Sequence, residues 1–214
     1  MPRTADHDAR RRQIAEGVRT IVSEAGLDAA TVARVARASG MSVGLVQHYF
    51  PSKDALLLFA YRHVMDRIGT RVAQRVAEGE AARGTIAASL RAALREMLPL
   101  DHERRSEYRV AQAFAGRSLD SAELAEVGAQ TSRRLRDQIA VAVGNGKECG
   151  EVEPEVDTGL AAARVLAVTE GLAVQLHREP HGRAGTHPLA EAADAVLLPT
   201  LESVFTGTCR QYSR

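Results

Sequence analysis

Between Thr31 and Phe50 the chain reads TVARVARASGMSVGLVQHYF, and few folds accept such a run. Thr31 can cap a short helix with Val32, Val35 and Ala36 on one face, and that helix must stop at Gly40, where a positive φ carries no Cβ penalty. A second short helix, Val43 to Tyr49, ends at Phe50 and Pro51, because proline disfavours a helical conformation in the residue before it. Small Ala36 suits a close helix crossing, and branched Val46 suits the face that packs back. With Val35, Met41 and Leu45 they make the inward set of a helix-turn-helix. Three ordinary helices of a bundle also place small residues and glycine between them, so this pattern alone leaves a DNA reader and a plain bundle both open.

The rest of the chain keeps the helical period. Ile14, Val18, Ile21 and Val22 make one stripe over about residues 8–25, and Leu57, Tyr61, Val64, Ile68 and Val72 another over 52–77. Further helices are predicted over 86–98, 102–115, 122–143, 158–177 and 189–205, separated by Pro99, 116–121, 144–154 and 180–188. Only 4% of residues are aromatic and Trp is absent, which disfavours a sheet of aromatic and β-branched strands. The expected fold is therefore all-α with about nine helices: a helix-turn-helix domain over 1–51 and a larger helical domain over 52–214.

Several function classes find no support. No stretch approaches the roughly 18–20 consecutive apolar residues of a bilayer span, and the N-terminus lacks the apolar core of a secretory signal. A cytoplasmic protein without a membrane partner is expected. Cys149 and Cys209 have no CxxC spacing and are read as ordinary thiols. His177, Glu179, His181 and His187 share a loop, but Pro180 interrupts the turn that would align them, so no metal site is expected. With no phosphate-binding glycine loop or nucleophile elbow, neither a catalytic residue nor a cofactor is expected.

The run GMSVGLVQHYFPSKDALL, Gly40 to Leu57, resembles the signature of the tetracycline-repressor (TetR) family of ligand-responsive transcriptional regulators, with Tyr49, Phe50, Ser52, Lys53 and Leu56 matching its pattern. The segment AARVLAVTEGLAVQL, Ala162 to Leu176, is similar to the BetI-type branch. The resemblance implies that the third helix enters the major groove of an operator and presents Ser42, Val43, Gly44, Gln47 and His48 to base edges. Gln47 can pair bidentately with adenine, His48 can reach a base or phosphate, and Val43 can meet a thymine methyl. Tyr49 and Lys53 would hold phosphates, helped by the positive helix ends near Thr31 and Ser52. Val43 to Phe50 contains no Arg or Lys, so the commonest guanine contact is missing from this helix. Residues 1–62 carry nine basic against six acidic side chains, and Arg3, Arg10, Arg11 and Arg12, on an expected flexible extension, can enter a minor groove, touch phosphates or simply be solvated.

One recognition helix covers few base pairs, so a homodimer is expected. Its interface is placed on the last two helices, through Leu160, Val165, Val168, Leu172 and Leu176 and through Leu189, Val196, Leu197, Leu201, Val204 and Phe205, although these stripes can equally face the protomer's own core. The resemblance also implies a mostly apolar cavity for an unknown small-molecule effector, with Tyr108, Arg109, Gln112, Phe114, Arg117, Glu170 and Gln175 as candidate lining residues. Two other readings stand beside this one: a helical enzyme or ligand-binding protein whose helix-turn-helix is only structural, and a regulator that answers to a protein partner.

Overall fold

The computed structural model describes residues 2–210, with side chains from residue 7 onward, so the side chain of Arg3 lies outside the described residues. Nine α-helices are present among them: α1 (Pro2–Ala25), α2 (Val32–Ala38), α3 (Val43–Tyr49), α4 (Lys53–Ala81), α5 (Ile86–Arg95), α6 (His102–Ser118), α7 (Ala122–Cys149), α8 (Thr158–Arg178) and α9 (Leu189–Glu202). Packing divides the chain into two compact units, Met1–Arg67 with Asp101–Gly128, and Ile68–Leu100 with Ala129–Arg214. Residue 51 therefore falls inside the first unit, which also takes in α6 and the starts of α4 and α7.

In the first unit α1 packs against both α2 and α6. The predicted stripe of Ile14, Val18, Ile21 and Val22 is buried, together with Val35, Ala36, Val46 and Phe50. A second cluster gathers Leu57, Tyr61, Phe114 and Leu124. Its two rings stack with centroids 3.9 Å apart and planes 7° from parallel. Polar contacts lie between α1, α4 and α6. Arg67 donates to Glu16, to Glu103 and to the fully buried Glu107, while Arg19 and His63 also meet Glu16. Partial burial alone would raise the Glu16 carboxyl, but the hydrogen bonds from Arg19 and His63 outweigh it and hold the group below its ordinary value.

In the second unit α9 packs on α8 and α5, and Arg95 of α5 pairs with Asp194 of α9. The Glu151 carboxylate accepts from Ile86 N at 2.8 Å and Ala87 N at 3.0 Å, satisfying two of the unpaired amides at the start of α5.

Four features depart from the sequence expectation. α1 begins at Pro2, ahead of the start expected near residue 8, so the run Arg10 to Arg12 lies well inside the helix and not on a flexible extension at its edge; proline is well suited to a first helical turn, and nothing after it breaks the period. α7 continues through Gly144 and Gly146 to Cys149. A Cβ on Gly146 would stand 2.6 Å from Val152 and 2.9 Å from Phe205, so this glycine permits close tertiary packing and does not mark a break. The loop before α9 holds a small antiparallel pair, β1 (Arg183–Ala184) with β2 (His187–Pro188). α8 has the length and composition of a membrane span, with mean hydropathy 1.3 over its most apolar window, but Val165, Leu166, Leu172 and Leu176 on it belong to the core.

Candidate nucleic-acid interface

The geometry of α2 and α3 follows from local chemistry. The Thr31 side chain accepts from Arg34 N at 3.3 Å and that of Ser42 from Leu45 N at 3.2 Å, so each short helix begins with a hydroxyl cap. Gly40 takes φ +63° in the turn, and Met41 N donates to Ala36 O at 2.8 Å to close it. Val46 is completely buried and Phe50 nearly so, which pins one side of α3 against the unit. The opposite side presents Ser42, Val43, Gly44, Gln47 and His48 to solvent, with Val43 43% exposed although it is a large apolar residue. An exposed valine at the start of a short helix is available for an apolar contact such as a thymine methyl. Nothing lies within 4 Å of a Cβ built on Gly44, so this glycine keeps the surface low without being needed for internal packing.

Tyr49 is half-buried, with the His7 ring edge-on at 4.6 Å and the His48 ring at 5.7 Å. Its orientation is thereby set from both sides. Lys53 opens α4, whose first turn is capped by the Ser52 hydroxyl accepting from Ala55 N at 3.0 Å. The Lys53 ammonium lies 3.6 Å from the fully exposed Asp28 carboxylate, an ion pair that water and salt screen heavily. The expected DNA-facing residues thus lie together in one unit, Thr31 and Ser42 at the N-caps of α2 and α3, Val43, Gly44, Gln47, His48 and Tyr49 on α3, and Lys53 at the start of α4.

The basic N-terminal run divides in its roles. Arg11 lies over the Phe59 ring at 4.5 Å and the Phe50 ring at 5.5 Å, a cation–π arrangement that ties its guanidinium to the core. Arg10 and Arg12 are exposed on α1. Sequence reasoning passed over Arg34 and Arg37, which are exposed on α2. The signal was present in the run VARVARA, where arginines occupy the positions left free by Val35 and Ala36.

The residues expected to line an effector cavity fall into both units. Tyr108, Arg109, Gln112, Phe114 and Arg117 lie on α6 in the first, and Glu170 and Gln175 on α8 in the second. Phe114 is part of the stacked core. Arg117 makes a two-pronged contact with Asp54, at 2.9 and 3.1 Å, which holds the Asp54 carboxyl below its usual value. Arg109 donates to Ser23 O. Partial burial raises the Glu170 carboxyl, countered in part by Arg136. A shallow open depression of about 510 Å³ runs along α7 over Gln130, Arg133, Arg134, Asp137, Gln138 and Val141, none of them among these candidates.

Comparison with known proteins agrees with this geometry. Residues 14–59 match the family model for bacterial regulatory proteins of the tetR family, and residues 86–205 match that for the C-terminal region of BetI-type transcriptional repressors. The chain is 32% identical over 183 residues to the HTH-type transcriptional repressor Rv1474c of Mycobacterium tuberculosis, covering 82% of this chain and 88% of that protein. A crystal structure of a transcriptional regulator from Rhodococcus sp. Rha1 superposes with a TM-score of 0.73 at 31% identity, covering 91% of this chain and 97% of the other. The fold is also that of a transcriptional regulator from Saccharomonospora viridis solved in complex with choline, with a TM-score of 0.75 at 22% identity over 91% of this chain and 96% of the other. The chain belongs to the TetR family of helix-turn-helix transcriptional regulators, with a C-terminal region of the BetI type.

Proposed function

We propose that the protein is a homodimeric repressor that places one α3 in the major groove of each half of a palindromic operator and releases it when a small molecule binds the helical region. The observation that carries the base-reading part is the sidedness of α3. Val46 and Phe50 are buried, while Val43, Gly44, Gln47 and His48 face solvent from a helix capped and braced at both ends. Gln47 reads adenine, Val43 meets a thymine methyl, and Ser42 and His48 reach base or phosphate oxygens. Thr31, Tyr49 and Lys53, joined by Arg34 and Arg37, hold the phosphate backbone and set the register.

The dimer is formed by α8 and α9, but through faces turned away from most of the expected stripes. Val165, Leu172, Leu176, Leu189, Leu197, Leu201, Val204 and Phe205 are buried within the protomer. The outward face of α8 carries Leu160, Ala167 and Gly171, and that of α9 Ala195, Val196 and Leu198. Leu160 is 72% exposed, and Val196 and Leu198 are also large apolar side chains open to solvent. Small residues beside large apolar ones let two helix pairs approach closely in a four-helix bundle.

For the effector, the choline held by the Saccharomonospora regulator makes a small organic cation one class to test. Such cations are held by aromatic faces or carboxylates. Here the Phe114 ring is stacked on Tyr61, which leaves Tyr108 and Glu170 as the cation-compatible groups among the candidate residues.

The base-reading assignment is tested by titrating labelled operator and scrambled duplexes at several salt concentrations. Lys53→Ala is expected to weaken binding to every sequence and flatten the salt slope by about one unit, while Gln47→Ala relaxes preference at one base pair, a loss of about 1–3 kcal/mol on the specific site alone. Equal losses for Gln47→Ala on specific and scrambled DNA contradict its role.

A further inference from the structure

The fold draws together three groups that lie far apart in the sequence or serve other purposes there. Cys149 ends α7, Glu151 follows two residues later, and Cys209 lies in the segment after α9. Their ligand atoms, two thiol sulfurs and a carboxylate oxygen, all lie within 4.8 Å of one another, with Cys149 and Glu151 buried and Cys209 half-exposed. We infer that Cys149, Glu151 and Cys209 form a binding site for a thiophilic divalent cation of the zinc class.

Three physical observations support this. First, the Cys149 Sγ to Glu151 Oε1 distance is 3.5 Å. A tetrahedral zinc with bonds of about 2.3 Å to sulfur and about 2.0 Å to oxygen spans an edge of about 3.5 Å between those two ligands. Second, the ligands are held by main chain. Arg210 N donates to Cys149 O at 2.7 Å and Gly207 N to Glu151 O at 3.0 Å, so the segment carrying Cys209 is fixed against the one carrying the other two ligands. Gly150, at φ +93°, makes the bend between Cys149 and Glu151, and Arg210 crosses it where a Cβ would stand 2.8 Å from Nε. Third, Glu151 is oriented by the two α5 amides that it accepts, each of which uses one oxygen once and leaves further lone pairs. A carboxylate held by outer hydrogen bonds is the usual state of a metal ligand.

Two thiols and a carboxylate give three protein ligands, and the half-exposed Cys209 side leaves a fourth position open to water. Binding forms two metal–sulfur bonds and one metal–oxygen bond, and the two thiol protons go to solvent. The cation would join the end of α7, the start of α5 and the segment after α9, all within the second unit. The site stands apart from the DNA-binding reading, because its test needs neither DNA nor an effector.

The test uses the full chain, reduced and stripped with a chelator, then titrated with Zn(II) against a chromogenic competitor and examined by native mass spectrometry. One equivalent is expected per chain, with Co(II) substitution giving a thiolate charge-transfer band. Cys209→Ser should lose at least about 100-fold in affinity, the upper end of what even outer-sphere changes cost, while keeping the thermal midpoint of the metal-free wild type. Zn(II) should raise the midpoint of the wild type and leave that of Cys209→Ser unmoved. No uptake, uptake undiminished in Cys149→Ser/Cys209→Ser, or a Co(II) spectrum without the sulfur band overturns the assignment.

Discussion

Leu198→Arg is expected to convert the proposed dimer into monomers and to weaken operator binding on the order of 1,000-fold, the lower range of the gap between specific and non-specific DNA binding. Leu198 lies on the outward face of α9 and is 40% exposed in the protomer, so an arginine there meets water in the monomer and the fold is preserved. In the dimer the same long guanidinium would be pushed against the partner's apolar face, and taking its charge out of water there costs several kcal/mol. A single α3 then binds without the gain from a second, tethered half-site. Sedimentation at micromolar concentration and titration of an operator duplex, with far-UV circular dichroism as the check on folding, measure both effects. A variant that remains dimeric with wild-type affinity contradicts the interface.

The second large effect is on stability. Phe114→Ala should cost about 3–5 kcal/mol, the range for deleting a buried aromatic side chain, and lower the midpoint of thermal unfolding by roughly 6–20 °C for a chain of this size. Phe114 is 2% exposed and lies flush on Tyr61, with Leu57 and Leu124 completing the cluster. Its removal leaves a cavity that Tyr61 cannot fill, because that ring is itself held between α4 residues and their neighbours. Differential scanning calorimetry checks the shift. A change below about 1 kcal/mol would show that Phe114 lines accessible space, as expected of an effector pocket, instead of closing a core.

The parts of the molecule legible in the sequence are those decided within a few residues. Ala36, Gly40 and Val46 could be assigned because a close crossing, a positive-φ turn and a packed-back helix face each demand a residue type at a fixed offset, and the structure shows all three so used. The caps at Thr31 and Ser42 are equally local. What stayed hidden depends on contacts across long stretches of chain. Gly146 reads as a helix breaker until Val152 and Phe205 are seen against it. Arg11 reads as a free cation until Phe59 comes beneath it. The apolar stripes of α8 and α9 could serve a partner or the protomer, and periodicity cannot choose between them. Most of their large residues turn inward, so the proposed interface falls to the smaller ones and to Leu160, Val196 and Leu198. Cys149 and Cys209 have no spacing to announce them, since the turn at Gly150 and the pairing of residues 207–210 bring them together.

The most direct test of the account is selection of bound duplexes from a random pool by the purified protein, followed by sequencing. Two inverted half-sites, with centres about 34–36 Å apart along the duplex or at a multiple of that, are the predicted outcome, and Gln47→Ala should lose preference at one symmetric pair of positions. Retention of no duplex even at low salt, or a consensus without two-fold symmetry, contradicts a dimer that reads DNA through α3.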